Sequence, residues 1–97
     1  MDVKLVRIHG EDVICDLVEK NNSFILISQP IVAVPLPQEQ GKIGFAPWSP
    51  LMSEEVESVK IRRENVTYIT EVNPDMRDQY VALFSKVITP PSKNLIL

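Results

Sequence analysis

The first part of the chain carries short apolar runs with the composition of β-strands. Residues 3–8 are rich in β-branched side chains, and residues 13–18 alternate with the period of two that places every second residue on one face of a sheet. Gly10 marks a turn between these runs, and a polar turn at residues 20–23 precedes Phe24. The pattern predicts a hairpin around Gly10 and a third strand that begins at Phe24.

The next apolar runs are almost continuous, at residues 24–27 and 31–34. Continuous apolarity indicates burial on both faces of a strand or at a subunit contact. Pro30 lies between the runs and cannot donate to a sheet, so it marks an edge or a bulge where a long strand bends sharply. A proline-rich insertion over about residues 35–55 follows, and it includes a fourth strand around Ile43.

Two more strands are predicted at residues 59–61 and 66–70, on either side of a polar turn at residues 62–65. The chain is therefore mainly β. We expect a small antiparallel barrel rather than a sandwich, because closure removes exposed sheet edges. The apolar segments exceed what so small a barrel can hide, which favours pairing of edges between identical subunits, and a head-to-tail contact that closes makes a ring.

The last predicted element is a C-terminal α-helix over about residues 74–88. Asn73 is a typical N-cap residue, and Pro74 is favoured at the first helical position. Residues 89–97 contain two adjacent prolines that stop the helix, and they form a tail whose apolar end docks on a neighbour or frays. The apolar face of the helix comprises Met76, Tyr80, Leu83, Phe84 and Val87.

Length and composition fit one domain. The chain has 97 residues, of which 44% are hydrophobic and 24% are charged, which excludes a collagen, a coiled coil or a wholly disordered chain. No apolar stretch approaches the roughly 20 residues of a membrane span, and we expect neither a leader peptide nor a disulfide, hence a cytoplasmic protein. The net charge of −3 requires any nucleic-acid site to be a local patch.

Catalytic chemistry has few candidates. His9 is the single histidine and Cys15 the single cysteine, and Cys15 falls on the core face of its predicted strand. The sequence has no cluster of Cys and His that could bind zinc, and its three glycines lie in strand-like surroundings rather than in a phosphate-binding loop. We expect no enzymatic activity, no cofactor and no metal.

One stretch carries a family pattern. Residues 59–69 resemble the second signature of Sm/Lsm proteins, in which a hydrophobic residue precedes Ile-Arg-Gly, a polar pair, Val and a later Ile. Arg63 departs from the pattern, since the family favours Gly there. The matching positions are Ile61, Arg62, Asn65, Val66 and Ile69.

The first Sm/Lsm signature is fainter. Gly10, Val13 and Leu17 resemble its glycine turn and apolar positions, whereas Cys15 stands where a small Gly is usual. The loop that follows is shortened to residues 20–23. In the family this loop carries a base-contacting Asn, and near that place this sequence has Ile25.

The resemblance covers roughly residues 3–71. With its insertion and its late helix, the chain is similar to Sm-like proteins of marine cyanobacterial phages. The resemblance implies a strongly bent five-stranded antiparallel barrel over about residues 2–72, whose edge strands pair into a homo-oligomeric ring. It also implies binding of single-stranded RNA around the pore, which the turns at residues 20–23 and 62–65 would line.

The basic residues support such a patch without the family. Lys60, Arg62 and Arg63 are the tightest basic cluster of the chain. The planar fork of arginine grips phosphate or stacks on a base, and a ring would repeat the charge around a narrow opening that focuses its field. The alternative is a solvated turn in which Glu64 partly neutralises its neighbours.

The remaining candidates each have a plainer alternative. Asn21 and Asn22 supply polar contacts to a base, or only turn geometry. Phe24 stacks a base, or begins a core strand. Asn65 contacts the ligand or braces its turn, and Trp48 contacts a partner or packs within the protein.

Two functions follow from these observations. The first is an Sm-like ring that binds single-stranded RNA, or DNA, in RNA processing. The second is a structural or protein-interaction ring with degenerate nucleic-acid loops, which the acidic balance, the lost Asn and the apolar tail favour.

Overall fold

The computed structural model describes residues 1–38 and 41–85, and it confirms a mainly antiparallel β protein with a C-terminal helix. The elements follow the predicted order closely. They are β1 (Val3–Ile8), β2 (Glu11–Lys20), β3 (Phe24–Pro35), β4 (Ile43–Pro47), β5 (Val59–Arg62), a single 3₁₀ turn (Arg63–Asn65), β6 (Val66–Thr70) and α1 (Pro74–Phe84).

Strand β3 pairs with three other strands. It pairs with β2 on one edge, whereas on the other edge its second half pairs with β4 and its first half with β5. Strands β4 and β5 therefore share the place of one long strand, and residues 48–58 leave the edge between them. The proline-rich segment predicted over 35–55 thus contains β4, and its residues 48–55 belong to no strand or helix.

The other end of the sheet is β6, which pairs with β1. In the described part of the chain, no strand pair joins β6 to β4 or β5, so the bent sheet is not closed by hydrogen bonds. The 3₁₀ turn at Arg63–Asn65 instead carries the chain from β5 to β6. Two edges consequently lack a strand partner among the described residues, that of β6 and that shared by β4 and β5.

The predicted bend lies one residue before Pro30. Gln29 has a φ of 50°, and the β2–β3 register shifts between Ile14 and Asp16 at this level. In a regular strand Ile27 and Ile31 would share a face, but here they belong to two different apolar clusters. Strand β3 therefore exchanges its inner and outer faces at the bend, which accounts for its nearly continuous apolarity.

The two clusters lie on opposite sides of the sheet. Val13 and Cys15 belong to the first and Ile14 to the second, since successive residues of a strand face opposite sides. The first cluster contains Val6, Ile8, Val13, Cys15, Leu17, Ile25 and Ile27. The second lies against α1 and contains Val3, Ile14, Ile31, Val72 and Tyr80.

Helix α1 begins as predicted, because the side chain of Asn73 accepts a hydrogen bond from the backbone N–H of Asp75 (2.9 Å). It ends at Phe84, with Ser85 as its C-cap. Of the predicted apolar face, Tyr80 and Phe84 pack against the sheet, whereas Leu83 is 45% exposed beside them. Val87, the rest of predicted residues 86–88, and the tail at 89–97 lie outside the described residues.

Candidate nucleic-acid interface

The two turns predicted to line one opening are in direct contact. The backbone N–H of Arg63 donates a hydrogen bond to the carbonyl oxygen of Ser23 (3.0 Å). Strand pairing brings the same regions together, because Phe24 at the start of β3 is directly opposite Arg62 at the end of β5. Residues 20–24 and 62–65 therefore form one continuous surface at this end of the sheet.

The first turn is built by Asn21. Its side-chain Oδ1 accepts hydrogen bonds from the backbone N–H groups of Ser23 (2.8 Å) and Phe24 (3.0 Å), and its Nδ2 donates to Glu19 Oε2 (3.3 Å). An Asn whose side chain replaces backbone partners in this way is a turn-forming residue. Of the two roles proposed for Asn21, its contacts support the formation of the turn. The neighbouring Asn22 is exposed.

An aromatic ring and two cations lie together on the outer face of β3 and β5. Residues directly opposite in an antiparallel pair share a face, so Phe24 lies with Arg62, and Leu26 lies with Lys60. The intervening pair, Ile25 and Ile61, faces the first core cluster. We call Phe24, Lys60 and Arg62 the Phe24 patch.

Lys60 lies over the ring of Phe24. Its Nζ is 4.5 Å from the ring centroid, which is within cation–π distance. Such a contact is worth about 0.5–1 kcal/mol at an exposed site, whereas stacking of a base on an aromatic side chain is worth about 1–3 kcal/mol. Lys60 was part of the basic cluster in the sequence, but its position over Phe24 comes from strand pairing and could not be predicted.

Arg62 remains accessible to a ligand. Its side chain is 75% exposed, and its Nε lies 3.9 Å from Oε1 of Glu64, which is equally open to solvent. An ion pair this long and this solvated contributes little, because water screens both charges. The partial neutralisation by Glu64 expected from the sequence is therefore present but weak.

Arg63 and Asn65 lie in the 3₁₀ turn rather than in a strand, and both are half-buried. The carbonyl oxygen of Asn65 accepts a long hydrogen bond from the backbone N–H of His9 (3.4 Å), which connects this turn to the β1–β2 turn. This bond uses only the backbone of Asn65, so contact with a ligand and bracing of the turn both stay predictions for its side chain.

The position that resembles the family's base-contacting Asn has no polar side chain. Ile25 is fully buried and belongs to the first core cluster. A uracil or adenine edge would find no hydrogen-bond donor there, so any base contact in this chain depends on stacking and on residues of the neighbouring turns.

Three residues considered for other roles are structural or peripheral to this surface. Cys15 is fully buried, and desolvation raises the pKa of its thiol to about 12, so the thiol stays protonated at neutral pH. His9 is exposed in its turn with a φ of 50°. Trp48 packs against the first core cluster and its Nε1 donates to Glu11 Oε1 (3.0 Å), which supports the packing role.

A cavity of about 520 Å³ lies elsewhere, between the end of α1, β4 and the loop that follows it. Leu83, Phe84, Phe45 and Pro47 are among its lining residues, and none of the predicted nucleic-acid residues lines it. Within residues 1–38 and 41–85, no group of three or more His, Cys, Asp or Glu side chains could hold a metal ion. No helix in the described part of the chain is long and apolar enough to span a membrane.

Comparison of the chain with protein-family models gives no match, and comparison with curated proteins gives none either.

Proposed function

We propose that the chain is an Sm-like protein that forms a homo-oligomeric ring and binds single-stranded RNA, or DNA, where its two turns meet. The observation that carries this proposal is the juxtaposition of residues 20–24 with Arg62 and Arg63, joined by the Arg63–Ser23 hydrogen bond. An aromatic ring beside exposed cations is the combination with which proteins bind unpaired bases and their phosphates. By this proposal the protein acts in RNA processing in the cytoplasm of a bacterium or a phage-infected cell.

The sheet offers a means of assembly. Strand β6 and the shared edge of β4 and β5 both lack a strand partner within the described residues. An exposed edge presents unpaired backbone N–H and C=O groups that another strand can satisfy. Pairing of β6 in one subunit with the β4–β5 edge of the next is a head-to-tail contact, and a closed set of such contacts is a ring.

Ring assembly would also explain how a chain with a negative net charge binds an anionic ligand. Each subunit carries a net charge of −3, so a single copy has no overall attraction for nucleic acid. In a ring, the Phe24 patch and Arg63 of every subunit would surround one opening. The local positive potential would then grow with subunit number, and binding would weaken with salt as counterions compete for the phosphates.

A second candidate function is a structural ring without nucleic-acid binding. Ile25 is buried where the family resemblance places a base-contacting Asn, and the Oδ1 of Asn21 is engaged within its own turn. These two observations favour a scaffold whose binding loops are degenerate. The alternative retains the fold and the edge pairing and lacks only the ligand.

One experiment separates the two functions. Light scattering on the purified protein measures the oligomeric state, and fluorescence anisotropy at low salt measures binding of labelled poly-U, poly-A and a matching DNA. Saturable binding by an oligomer to at least one strand supports the nucleic-acid function. Flat titrations against all three strands, with the oligomer intact, support the scaffold, and a stable monomer at micromolar concentration contradicts both.

A further inference from the structure

The feature that carries a further inference is the position of Lys60 over the ring of Phe24. Resting on the proposed function, we propose that Lys60 is a displaceable cover of a stacking site for one unpaired nucleobase. In the free protein its ammonium occupies the ring. When single-stranded nucleic acid binds, a base replaces the ammonium on Phe24, and Lys60 and Arg62 bind the phosphates beside that base.

Strand geometry explains why Lys60 can leave the ring. Its backbone is paired with Leu26, not with Phe24, so its side chain reaches diagonally across the outer face to contact the ring. Lys60 is exposed, and the cation–π contact that holds its ammonium on the ring is worth only about 0.5–1 kcal/mol at a solvated site. A base has a larger flat surface than an ammonium and gains more from the same ring.

The same geometry places the two cations for a backbone. Lys60 and Arg62 are separated by one residue on β5, so their Cα atoms are about 7 Å apart on one face. Phe24 is directly opposite Arg62, so the ring lies beside this pair of charges. A single-stranded nucleic acid can therefore place one base on Phe24 while its sugar-phosphate backbone runs along β5.

The ligand is defined by this chemistry as an unpaired base with flanking phosphates. In a duplex each base is stacked between its neighbours and presents no free face, so the ring has nothing to stack on. The ring itself contacts a base face, which all four bases possess, and so provides no strong base preference. We therefore expect Phe24 to bind single-stranded rather than double-stranded nucleic acid, with no strong preference among the four bases.

Two measurements test the role of Lys60. The first is the ring-current shift of the Lys60 side-chain protons by NMR in the free protein and in its complex with a short oligouridine. We expect upfield-shifted methylene protons in the free protein, loss of that shift in Phe24→Leu, and loss of it in wild type when the oligouridine binds.

The second measurement compares the affinity for oligouridine with that for the same backbone carrying abasic sites. Phe24→Leu is expected to weaken binding of the intact strand about tenfold and to leave abasic binding unchanged. Lys60→Ala is expected to lower the magnitude of the slope of log affinity against log salt concentration by about 0.7, because one phosphate contact to a single strand is lost. It is also expected to raise the ratio of the affinity for the intact strand to the affinity for the abasic strand about two- to fivefold, because the ammonium no longer competes with a base for the ring.

The matched control is Lys42→Ala, which removes the same charge from the loop before β4 and should change neither the ratio nor the ring-current shift. If the strand binds while the Lys60 protons keep their shift, or if Lys60→Ala leaves the intact-to-abasic ratio unchanged, the cover is disproved and the proposed function stands. If no strand binds to an intact oligomer, the proposed function fails and this inference fails with it.

Discussion

The backbone N–H of Arg63 donates to the carbonyl oxygen of Ser23, and this one hydrogen bond connects two turns that are 40 residues apart in sequence. Together with the pairing of Phe24 and Arg62, it holds the end of β5 against the start of β3, so that the turn at residues 20–23 contacts the turn at residues 62–65. The side chain of Arg63 takes no part in the bond. A charge can therefore be changed at residues 62 and 63 without loss of the backbone connection on which the local fold depends.

The first prediction uses this separation of backbone and side chain. The double variant Arg62→Glu/Arg63→Glu should lose binding to single-stranded RNA while keeping its fold and oligomeric state. Each arginine that contacts a phosphate of a single strand adds about 0.7 to the salt dependence of binding, so loss of both removes most of the electrostatic attraction. Fluorescence anisotropy across a salt series and far-UV circular dichroism measure the two effects.

The control for that variant is Lys42→Glu/Arg77→Glu, which alters total charge equally but away from the two turns. Arg77 is exposed on α1, and Lys42 precedes β4. Affinity should fall much less in this control than in the Arg62/Arg63 variant. Equal losses in both would mean that only net charge matters, and unchanged affinity in the Arg62/Arg63 variant would remove the proposed site.

A second prediction concerns the two asparagines of the first turn. Asn21→Ala should lower the free energy of unfolding by about 1 kcal/mol, because the N–H groups of Ser23 and Phe24 lose their side-chain acceptor. Asn22→Ala should change it by less than about 0.5 kcal/mol, since Asn22 is exposed and makes none of these bonds. Urea denaturation measures both values, and similar stabilities for the two variants would contradict the role of Asn21.

The elements of this fold were predictable because their signals are local. The β-branched runs define each strand, and the sequence Asn73-Pro74-Asp75 defines where the helix begins, since an Asn cap and a first-position proline act within one turn. The pairing of β4 and β5 along the same edge of β3 was not predictable. It is a non-local contact, and the loop between the two strands gives no sign of it.

In the candidate site, too, the local features were predictable and the non-local contacts were not. The cationic turn at residues 62–65 was identified from composition, but the contact of Lys60 with Phe24 depends on cross-strand register, which alternation alone does not fix. Asn21 illustrates a different limit. An amide suits a base edge and a turn equally well, so only its hydrogen bonds distinguish the two roles. Leu83 illustrates a third limit. Helical spacing identifies the apolar face of a helix, but it does not show how many residues of that face the sheet covers.

A third prediction tests the attachment of α1 to the bend of β3. The hydroxyl of buried Tyr80 is within hydrogen-bond distance of the carbonyl oxygens of Gln29 (2.9 Å) and Ser28 (3.2 Å). Tyr80→Phe keeps the ring but removes the donor, so it should lower the free energy of unfolding by about 1–3 kcal/mol. Thermal and urea denaturation provide the measurement.

Tyr68→Phe is the matched control for Tyr80. The Tyr68 hydroxyl also donates a hydrogen bond, to Asp12 Oδ1 (2.7 Å), but this tyrosine is 40% exposed and water can replace the lost partner. Its loss should cost less than about 1 kcal/mol. A Tyr80→Phe variant that is destabilised no more than Tyr68→Phe would mean that the Tyr80 hydroxyl does not stabilise the attachment of α1 to the bend.

The last prediction concerns Cys15, whose burial raises the pKa of its thiol from its ordinary value of 9.0 to about 12. A group with a raised pKa in the folded state contributes its full stability below the unfolded pKa and loses it as pH rises toward the folded value. Between pH 9 and 12 the unfolded chain releases the thiol proton while the folded chain retains it. In this range the free energy of unfolding should therefore fall by up to about 1.4 kcal/mol per pH unit because of this thiol alone.

Cys15→Ala isolates that contribution from other groups that titrate at alkaline pH. At pH 7 the variant should be less stable by about 1–2 kcal/mol, because a buried sulfur is replaced by a small cavity. Its free energy of unfolding should then fall less steeply than that of wild type between pH 8.5 and 10.5, since it has no thiol to ionise. The native wild-type thiol should also react with a disulfide reagent only as fast as the protein unfolds. Parallel stability profiles, or rapid labelling of the native protein, would show that Cys15 is accessible to solvent and that the first core cluster is open at this position.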